Sequence, residues 1–121
     1  YASNVLQRTY PRGLDTEVMS LDALAGAWTE ARKPHEREHV TPYIYEHPEK
    51  FQTLSVTGNA DYSGHRWTLD TPEDLEFLRA IYARLNNHTT FSWQEVLDVV
   101  DREPELMDLN RFIMQKATHE G

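Results

Sequence analysis

The segment from Arg66 to Leu75, RWTLDTPEDL, constrains the fold of this chain more than any other. Its first residues alternate polar and apolar side chains, as a strand does, and it then turns directly into a helix. Thr71 is a good N-cap, and Pro72 has the fixed φ that suits a first helical position. The pattern therefore predicts a strand that ends at Asp70, where open α/β sheets place their ligands. Asp70 is the first candidate functional residue.

Composition excludes several classes of protein. With 121 residues the chain forms one domain at most, and the absence of cysteine excludes disulfides and thiolate metal sites. A net charge of −8 argues against a nucleic-acid surface. No apolar run is long enough to cross a bilayer and nothing resembles a signal peptide, so we expect a cytoplasmic protein. The chain starts at Tyr1, inside an apparent strand and without Met, and we interpret it as a fragment.

Strand patterns alternate with helix patterns along the chain. Residues 14–19 and 51–57 predict strands. Ser20 predicts the start of a helix at 21–32 that Pro34 ends. Thr41 is predicted to cap a helical turn that begins at Pro42, and a single helix kinked at Pro42 is the alternative. Ser92 and Glu95 form a capping box for a helix that Pro104 stops, and residues 106–114 predict one more short helix.

Two of these helices have an apolar face that predicts the core. The helix at 21–32 presents Leu21, Leu24, Ala25, Trp28 and Ala31, and the helix after Pro72 presents Leu75, Leu78, Tyr82 and Leu85, with Ile81 flanking. Alternating strands and helices favour a layered α/β domain, although no glycine-rich phosphate loop precedes any helix.

His35 to His39 reads H-E-x-x-H, the signature of zinc peptidases. In that chemistry both histidines bind zinc from one long helix, and Glu36 acts as the base. Pro34 and Pro42 flank the motif closely here. A charged loop or helix start is therefore the favoured interpretation, and a zinc hydrolase the less favoured one.

Asp15 and Glu17 have the spacing of two that places both carboxylates on one strand face. Such a pair can bind a divalent cation or sugar hydroxyls, and it also occurs on solvated strand faces. Four arginines are candidate partners for phosphate or carboxylate, because guanidinium pairs bidentately with such anions: Arg8, Arg12, Arg37 and Arg66.

Three blocks, TYPRGLDTEV, EREHVTPYIYEHPEKF and RWTLDTPEDLEFLRAIY, follow one another in an order that resembles a known family. They look like the C-terminal half of the cytidylyltransferases of the spore-coat polysaccharide type, relatives of the acylneuraminate and 3-deoxy-manno-octulosonate cytidylyltransferases. The resemblance runs from Tyr1 to about Asn110. It implies part of a nucleotide-diphospho-sugar transferase-like three-layer α/β/α fold with a mixed sheet, in which residues 1–121 form the sugar-side half of one domain and residues 111–121 a flexible tail.

The resemblance also implies an activity and a set of site residues. Members of the family transfer CMP from CTP to a sugar hydroxyl, releasing pyrophosphate with the help of Mg²⁺, in the synthesis of surface polysaccharide. By similarity, Asp70 is a metal ligand. The residues that match segments on the sugar side of the cleft are Arg12, Gly13, Asp15, Glu17, Arg37, Glu38 and His39.

The sequence also departs from the family. The family's glycine- and arginine-rich CTP loop and its Gly-Asp loop have no counterpart here, so we expect the isolated chain to be inactive. The alternative is a non-catalytic module, derived from this fold, that dimerises or binds a partner. A homodimer is an expectation of either interpretation.

Overall fold

The computed structural model describes residues 1–114 and divides the chain into two compact units. Unit one holds Tyr1–Tyr10 and Asp15–Asp61, and unit two holds Pro11–Leu14 and Tyr62–Ile113. The predicted tail, residues 111–121, lies largely outside the described part of the chain. Across the described residues, no helix combines the length and apolar character that crossing a bilayer requires.

Unit one is built on a mixed sheet of three short strands. β1 (Ala2–Ser3) lies in the centre, β2 (Glu17–Val18) pairs with it antiparallel and β3 (Leu54–Ser55) pairs with it parallel. This sheet and its helices confirm the predicted α/β class. The strands predicted at 14–19 and 51–57 are longer than the observed ones, because a ladder persists only where a partner strand lies alongside.

The first helix of unit one begins where the sequence predicts. α1 (Leu21–Glu30) starts after Ser20, whose hydroxyl accepts a hydrogen bond from Ala23 N at 3.1 Å. Pro34 was predicted to end this helix. Instead, α1 ends at Glu30 and Pro34 is the first residue of a separate helix, α2 (Pro34–Glu38). Proline suits that position because the N–H of a first helical residue has no acceptor within the helix, so its absence costs no hydrogen bond.

Of the face predicted for α1, only Ala31 at the C-cap is buried, whereas the other four residues are exposed: Leu21, Leu24, Ala25 and Trp28. Leu21 and Trp28 are 79% and 71% exposed. The buried residues of this core are Ala27 and Ala31, with Tyr43 and Ile44 of α3 (Pro42–Tyr45). Apolar side chains occur on several sides of α1, so the neighbouring helix decides which side becomes buried.

Unit two consists mainly of α4 (Pro72–Arg84), α5 (Trp93–Arg102) and a 3-10 helix at Pro104–Leu109. Thr71 and Ser92 cap α4 and α5 as predicted, and Ser92 forms the expected capping box with Glu95. The short helix predicted at 106–114 is replaced by the 3-10 helix, which begins at the proline that ends α5.

The apolar stripe predicted for α4 is displaced in the structure. Leu75 and Tyr82 are partly exposed, whereas Phe77 and Ile81 are 1% and 2% exposed. The core of unit two contains Phe77, Ile81, Val96, Val99, Val100 and Leu106. The buried side of α4 is the one that faces α5 and the 3-10 helix, so Ile81, predicted as a flank, is central.

Candidate functional site

The predicted site residues divide between the two units. Unit one contains Asp15, Glu17, Arg37, Glu38 and His39, and unit two contains Arg12, Gly13 and Asp70. Each group is described within its own unit.

Glu17 links two predicted segments of unit one. Its Oε1 accepts hydrogen bonds from the hydroxyls of Tyr1 and Thr41, the second at 2.7 Å. Burial of Tyr1, together with its hydrogen bond to Glu17, raises the pKa of Tyr1, so that the phenol stays a donor. Because Thr41 follows His39 by two residues, Glu17 of β2 is tied directly to the segment that carries the predicted sugar-side block.

Asp15 has a charged partner of its own. Arg8 donates from Nη1 to Oδ1 at 2.8 Å and from Nη2 to Oδ2 at 3.0 Å, a bidentate pair that is open to solvent. Within the described residues, no third metal ligand gathers around Asp15 and Glu17. Both carboxylates are exposed, and protein donors already engage them: Arg8 at Asp15, and the hydroxyls of Tyr1 and Thr41 at Glu17.

Arg37, Glu38 and His39 lie exposed at the end of α2. The Arg37 guanidinium stands 4.4 Å from the centre of the Trp28 ring, and its Nη1 donates to Trp28 O at 2.8 Å. His39 Nε2 lies 4.0 Å from Glu38 Oε2. These contacts hold one positive and one negative side chain at the surface, where a polar ligand can reach them.

The H-E-x-x-H motif does not form the zinc geometry. α2 has five residues and His39 lies at its C-cap, so no long helix carries both histidines. Glu36 is buried, and its Oε2 accepts hydrogen bonds from the backbone N–H groups of Arg32 and Lys33 at 3.0 and 2.9 Å. These bonds lower the pKa of Glu36. Glu36 is therefore a capping residue.

His35, the first histidine of the motif, contacts a glutamate from outside the motif. His35 Nε2 lies 2.9 Å from Glu46 Oε2. In the described part of the chain, the potential ligand atoms that lie within 4.8 Å of one another belong to His35, Glu36 and Glu46, and His39 is not among them. The geometry thus favours the interpretation of the motif as a helix start.

Arg12 and Gly13 take part in the backbone packing of unit two. Arg12 N donates to His65 O at 3.0 Å and Trp67 N donates to Arg12 O at 2.7 Å, which forms an isolated parallel bridge between Arg12 and Arg66. Gly13 has φ of 110°, and a Cβ built on it would lie 2.0 Å from Trp67 O. Only glycine fits this approach.

Asp70 is exposed at the start of α4, but the predicted strand before it is not formed. The segment makes only the single bridge at Arg66, because no second strand lies along it in the described structure. The Asp70 side chain is 65% exposed, and its Oδ2 lies 3.6 Å from Arg66 Nη2. Its backbone N–H donates to Asp74 Oδ2 at 3.0 Å. The loop thus holds the Asp70 carboxylate outward, where it can meet a ligand.

Asp74 is the central polar residue of unit two, and sequence reasoning missed it. It is fully buried and accepts from Arg66 Nε at 2.9 Å and Arg66 Nη2 at 2.8 Å. Thr68 Oγ1, Asp70 N and Asn110 Nδ2 donate to the same carboxylate at 2.9 to 3.0 Å. Burial opposes the charge, but Arg66 and the other donors outweigh it and hold the pKa of Asp74 well below its usual value. The signal was the T-x-x-D spacing from Thr71, which predicts a capping acid.

Comparison with known proteins supports the resemblance in both sequence and fold. No protein-family model matches the chain. An uncharacterized protein of Methanocaldococcus jannaschii is 34% identical over 113 residues, covering 89% of this chain and 45% of that protein. The Spore coat polysaccharide biosynthesis protein SpsF of Bacillus subtilis is 30% identical over 98 residues, covering 78% of this chain and 41% of that protein.

A solved structure extends the match to the fold. A cytidylyltransferase from Leptospira borgpetersenii superposes with a TM-score of 0.80 at 30% identity, covering 96% of this chain and 47% of that one. The fold therefore defines a cytidylyltransferase-like α/β protein. The chain is a relative of the cytidylyltransferases of the spore-coat polysaccharide type, as the sequence predicts. It spans less than half the length of the relatives that it matches.

Proposed function

We propose that this chain forms the sugar side of a cytidylyltransferase that moves CMP from CTP to a sugar hydroxyl and releases pyrophosphate. The observation that carries the proposal is the match to the Leptospira cytidylyltransferase, a TM-score of 0.80 over 96% of this chain. The relationship to SpsF supports a role in polysaccharide synthesis. We place the activity in the cytoplasm and assign the C-terminal half of the domain to this chain.

Asp70 is the residue that fits Mg²⁺ in this proposal. Its carboxylate is exposed and supplies hard oxygen ligands, and Mg²⁺ commonly takes one or two carboxylates together with substrate phosphates. Asp74 holds Arg66 from the buried side and receives the Asp70 N–H, so it positions Asp70 without reaching the ligand itself. The metal, when bound, supplies neutralisation of phosphate charge.

The surface of unit one provides the groups for a sugar. Glu17 already accepts hydrogen bonds from two hydroxyls, and Asp15 is an exposed carboxylate paired with Arg8. Arg37 offers a guanidinium for an acidic substituent. Orienting a hydroxyl for attack on a phosphate requires several such contacts at once, because misalignment of the nucleophile is costly. His39 and Glu38 add exposed groups in the same segment.

A chimera tests the proposal directly. This chain replaces the matched segment of the Leptospira enzyme, and pyrophosphate release is measured with CTP, Mg²⁺ and a panel of acidic and neutral sugars. We expect release that Asp70→Asn reduces about a hundredfold or more, while Asp108→Asn, which changes an exposed acid paired with Arg111, leaves it within about twofold. A folded chimera without CTP-dependent release would favour the non-catalytic module. Turnover by the isolated chain would show that the fragment interpretation is wrong.

A further inference from the structure

Two carboxylates of unit two contact one guanidinium, but at different distances. Arg66 donates from Nε and Nη2 to Asp74 at 2.9 and 2.8 Å. The same Nη2 lies 3.6 Å from Asp70 Oδ2, which is beyond hydrogen-bond distance. The side chains of Arg66 and Asp74 are 7% and 0% exposed, whereas that of Asp70 is 65% exposed. Arg66 is therefore paired with the buried carboxylate, and its contact with Asp70 is long and screened by solvent.

The buried carboxylate also fixes the loop that carries Asp70. Thr68 Oγ1 and Asp70 N both donate to Asp74 Oδ2 at 3.0 Å, so the residues on either side of position 69 are tied to one oxygen. Asp74 N in turn donates to Thr71 Oγ1 at 3.2 Å, which closes the start of α4 onto the same loop. Asp70 is thus held in place before any ligand arrives, and preorganisation of this kind lowers the cost of binding.

The pairing of these charges decides what Asp70 can bind. The three side chains carry one positive and two negative charges, and the two short bonds set the charge of Arg66 against that of Asp74. The exposed carboxylate of Asp70 therefore keeps its negative charge for a cation. Without the charge of Asp74, Arg66 would pair with Asp70, the other carboxylate that contacts it, and the loop would present no net charge to the solvent.

We propose that Asp74 is a positioning residue that sets the affinity of Asp70 for a divalent cation by holding Arg66 away from it. A guanidinium paired with Asp70 competes for the same oxygens as the ion, and its charge repels the ion at short range. Asp74 does not reach the ion itself, because its carboxylate is fully buried and occupied by protein donors. The inference rests on the proposed function, in which Asp70 is the metal ligand, and adds the residue that keeps this ligand available.

A Mg²⁺ titration of the complete chain, followed by NMR of the side-chain carboxyl carbons, tests the proposal without a variant. We expect the Asp70 Cγ signal to shift saturably, while the Asp74 Cγ and Arg66 Nε–H signals stay in place because their ion pair is kept. A saturable shift of Asp74 Cγ, or loss of the Arg66 Nε–H signal, would overturn the proposal. So would an Asp70 shift no larger than that of Asp108, an exposed acid paired with Arg111.

A pair of variants separates the pairing of charges from a purely structural role. Asp74→Asn should weaken Mn²⁺ binding at Asp70 at least about tenfold, measured from paramagnetic broadening of the amide signals of residues 69–71, because Arg66 then pairs with Asp70. Adding Arg66→Met removes the competing guanidinium and should return the affinity to within about threefold of that of the unchanged chain. A structural role predicts that the double variant binds no better than the single one, and that result would contradict the proposal.

The comparison does not depend on the folding of the single variant. Replacing both members of a buried ion pair with neutral groups is tolerated better than removing one, so the double variant is the more stable of the two. If the amide spectrum shows that Asp74→Asn is unfolded, a double variant that binds Mn²⁺ about tenfold more weakly than the unchanged chain still overturns the proposal. Asp108→Asn is the matched control and should leave binding at Asp70 within about twofold.

Cation binding is measured without turnover, so the two proposals fail separately. Binding at Asp70 that follows these variants, together with a chimera that releases no pyrophosphate, would refute the proposed function and leave the role of Asp74 standing. Pyrophosphate release by the chimera that depends on Asp70 but has the same Mg²⁺ dependence in Asp74→Asn would do the reverse.

Discussion

Replacing Asp74 by Asn removes one charge from the centre of unit two and almost nothing from its volume. Asp74 is fully buried, and its carboxylate accepts from four residues: Arg66, Thr68, Asp70 and Asn110. An Asn side chain has one acceptor oxygen, so it satisfies one side of this set and turns an NH₂ toward the other. Two donors face Oδ1 and three face Oδ2, so fewer hydrogen bonds are lost when the Asn NH₂ takes the position of Oδ1. In that orientation Arg66 Nε and Asn110 Nδ2 face a donor and lose their acceptor.

The magnitude follows from these lost bonds. A buried donor that loses its acceptor costs about 1–3 kcal/mol, and removing one partner of a buried ion pair costs about 3–5 kcal/mol. The two figures describe the same contacts and are not added. Arg66 is 7% exposed, but its Nη2 keeps the exposed Asp70 carboxylate at 3.6 Å as a partial substitute. We therefore expect Asp74→Asn to lower the free energy of unfolding of unit two by about 3 kcal/mol.

Urea unfolding followed by tryptophan fluorescence measures this effect. Of the three tryptophans, Trp67 and Trp93 lie in unit two, so a Trp28→Phe background restricts the signal to that unit. Asp108→Asn in the same background should change the unfolding free energy by no more than about 0.5 kcal/mol. A loss below about 1 kcal/mol for Asp74→Asn would refute the assignment of Asp74 as the central polar residue of unit two, since such a value is typical of a surface acid.

The same carboxylate predicts a dependence on pH. The pKa of Asp74 in the folded chain lies below its ordinary value of 3.8. Its contribution to the free energy of unfolding is therefore complete above about pH 4 and is lost as the pH falls through the lower, folded pKa. Unit two should therefore lose stability below about pH 4, and Asp74→Asn should flatten this part of the curve.

Three further predictions concern unit two. Gly13→Ala should cost about 2 kcal/mol or more, because the residue has φ of 110° and its Cβ would meet Trp67 O, whereas Gly64→Ala, with nothing within 4 Å, should be near neutral in the same urea assay. Ser92→Ala should cost about 1 kcal/mol and reduce the helical circular dichroism signal, because it removes the capping hydroxyl of α5. Burial lowers the pKa of His65, so the unfolded state binds the proton more tightly and unit two should weaken as pH falls from about 6.5 toward the folded pKa. His65→Phe should remove that slope, and a slope that persists would exclude His65 as its source.

Helix starts were predictable because their signals are local. Ser20, Thr71 and Ser92 each cap the helix that the sequence assigns to them, and each bond spans three residues. A cap of this kind forms within the segment that contains it. The α/β class followed from the same local patterns, although the strand predicted before Asp70 is not formed and Pro34 opens a separate helix.

The buried faces were not predictable because they depend on neighbours. Phe77 and Ile81 belong to the core in place of Leu75 and Tyr82, although all four are apolar and lie on one helix. Periodicity identifies an amphipathic helix but does not select between adjacent apolar stripes. The predicted strands shortened for a related reason, since a ladder needs a partner that is distant in sequence.

The segment RWTLDTPEDL separates what the sequence determines from what the tertiary structure determines. By itself the sequence determined the cap at Thr71, the helix from Pro72 and the family to which the ordered blocks are related. Only the tertiary structure separated the roles of the two carboxylates, because Asp70 and Asp74 differ in the partners that surround them. Arg66 and Asn110, 8 and 36 residues away, reach Asp74 and bury it, and this leaves Asp70 exposed as the ligand candidate.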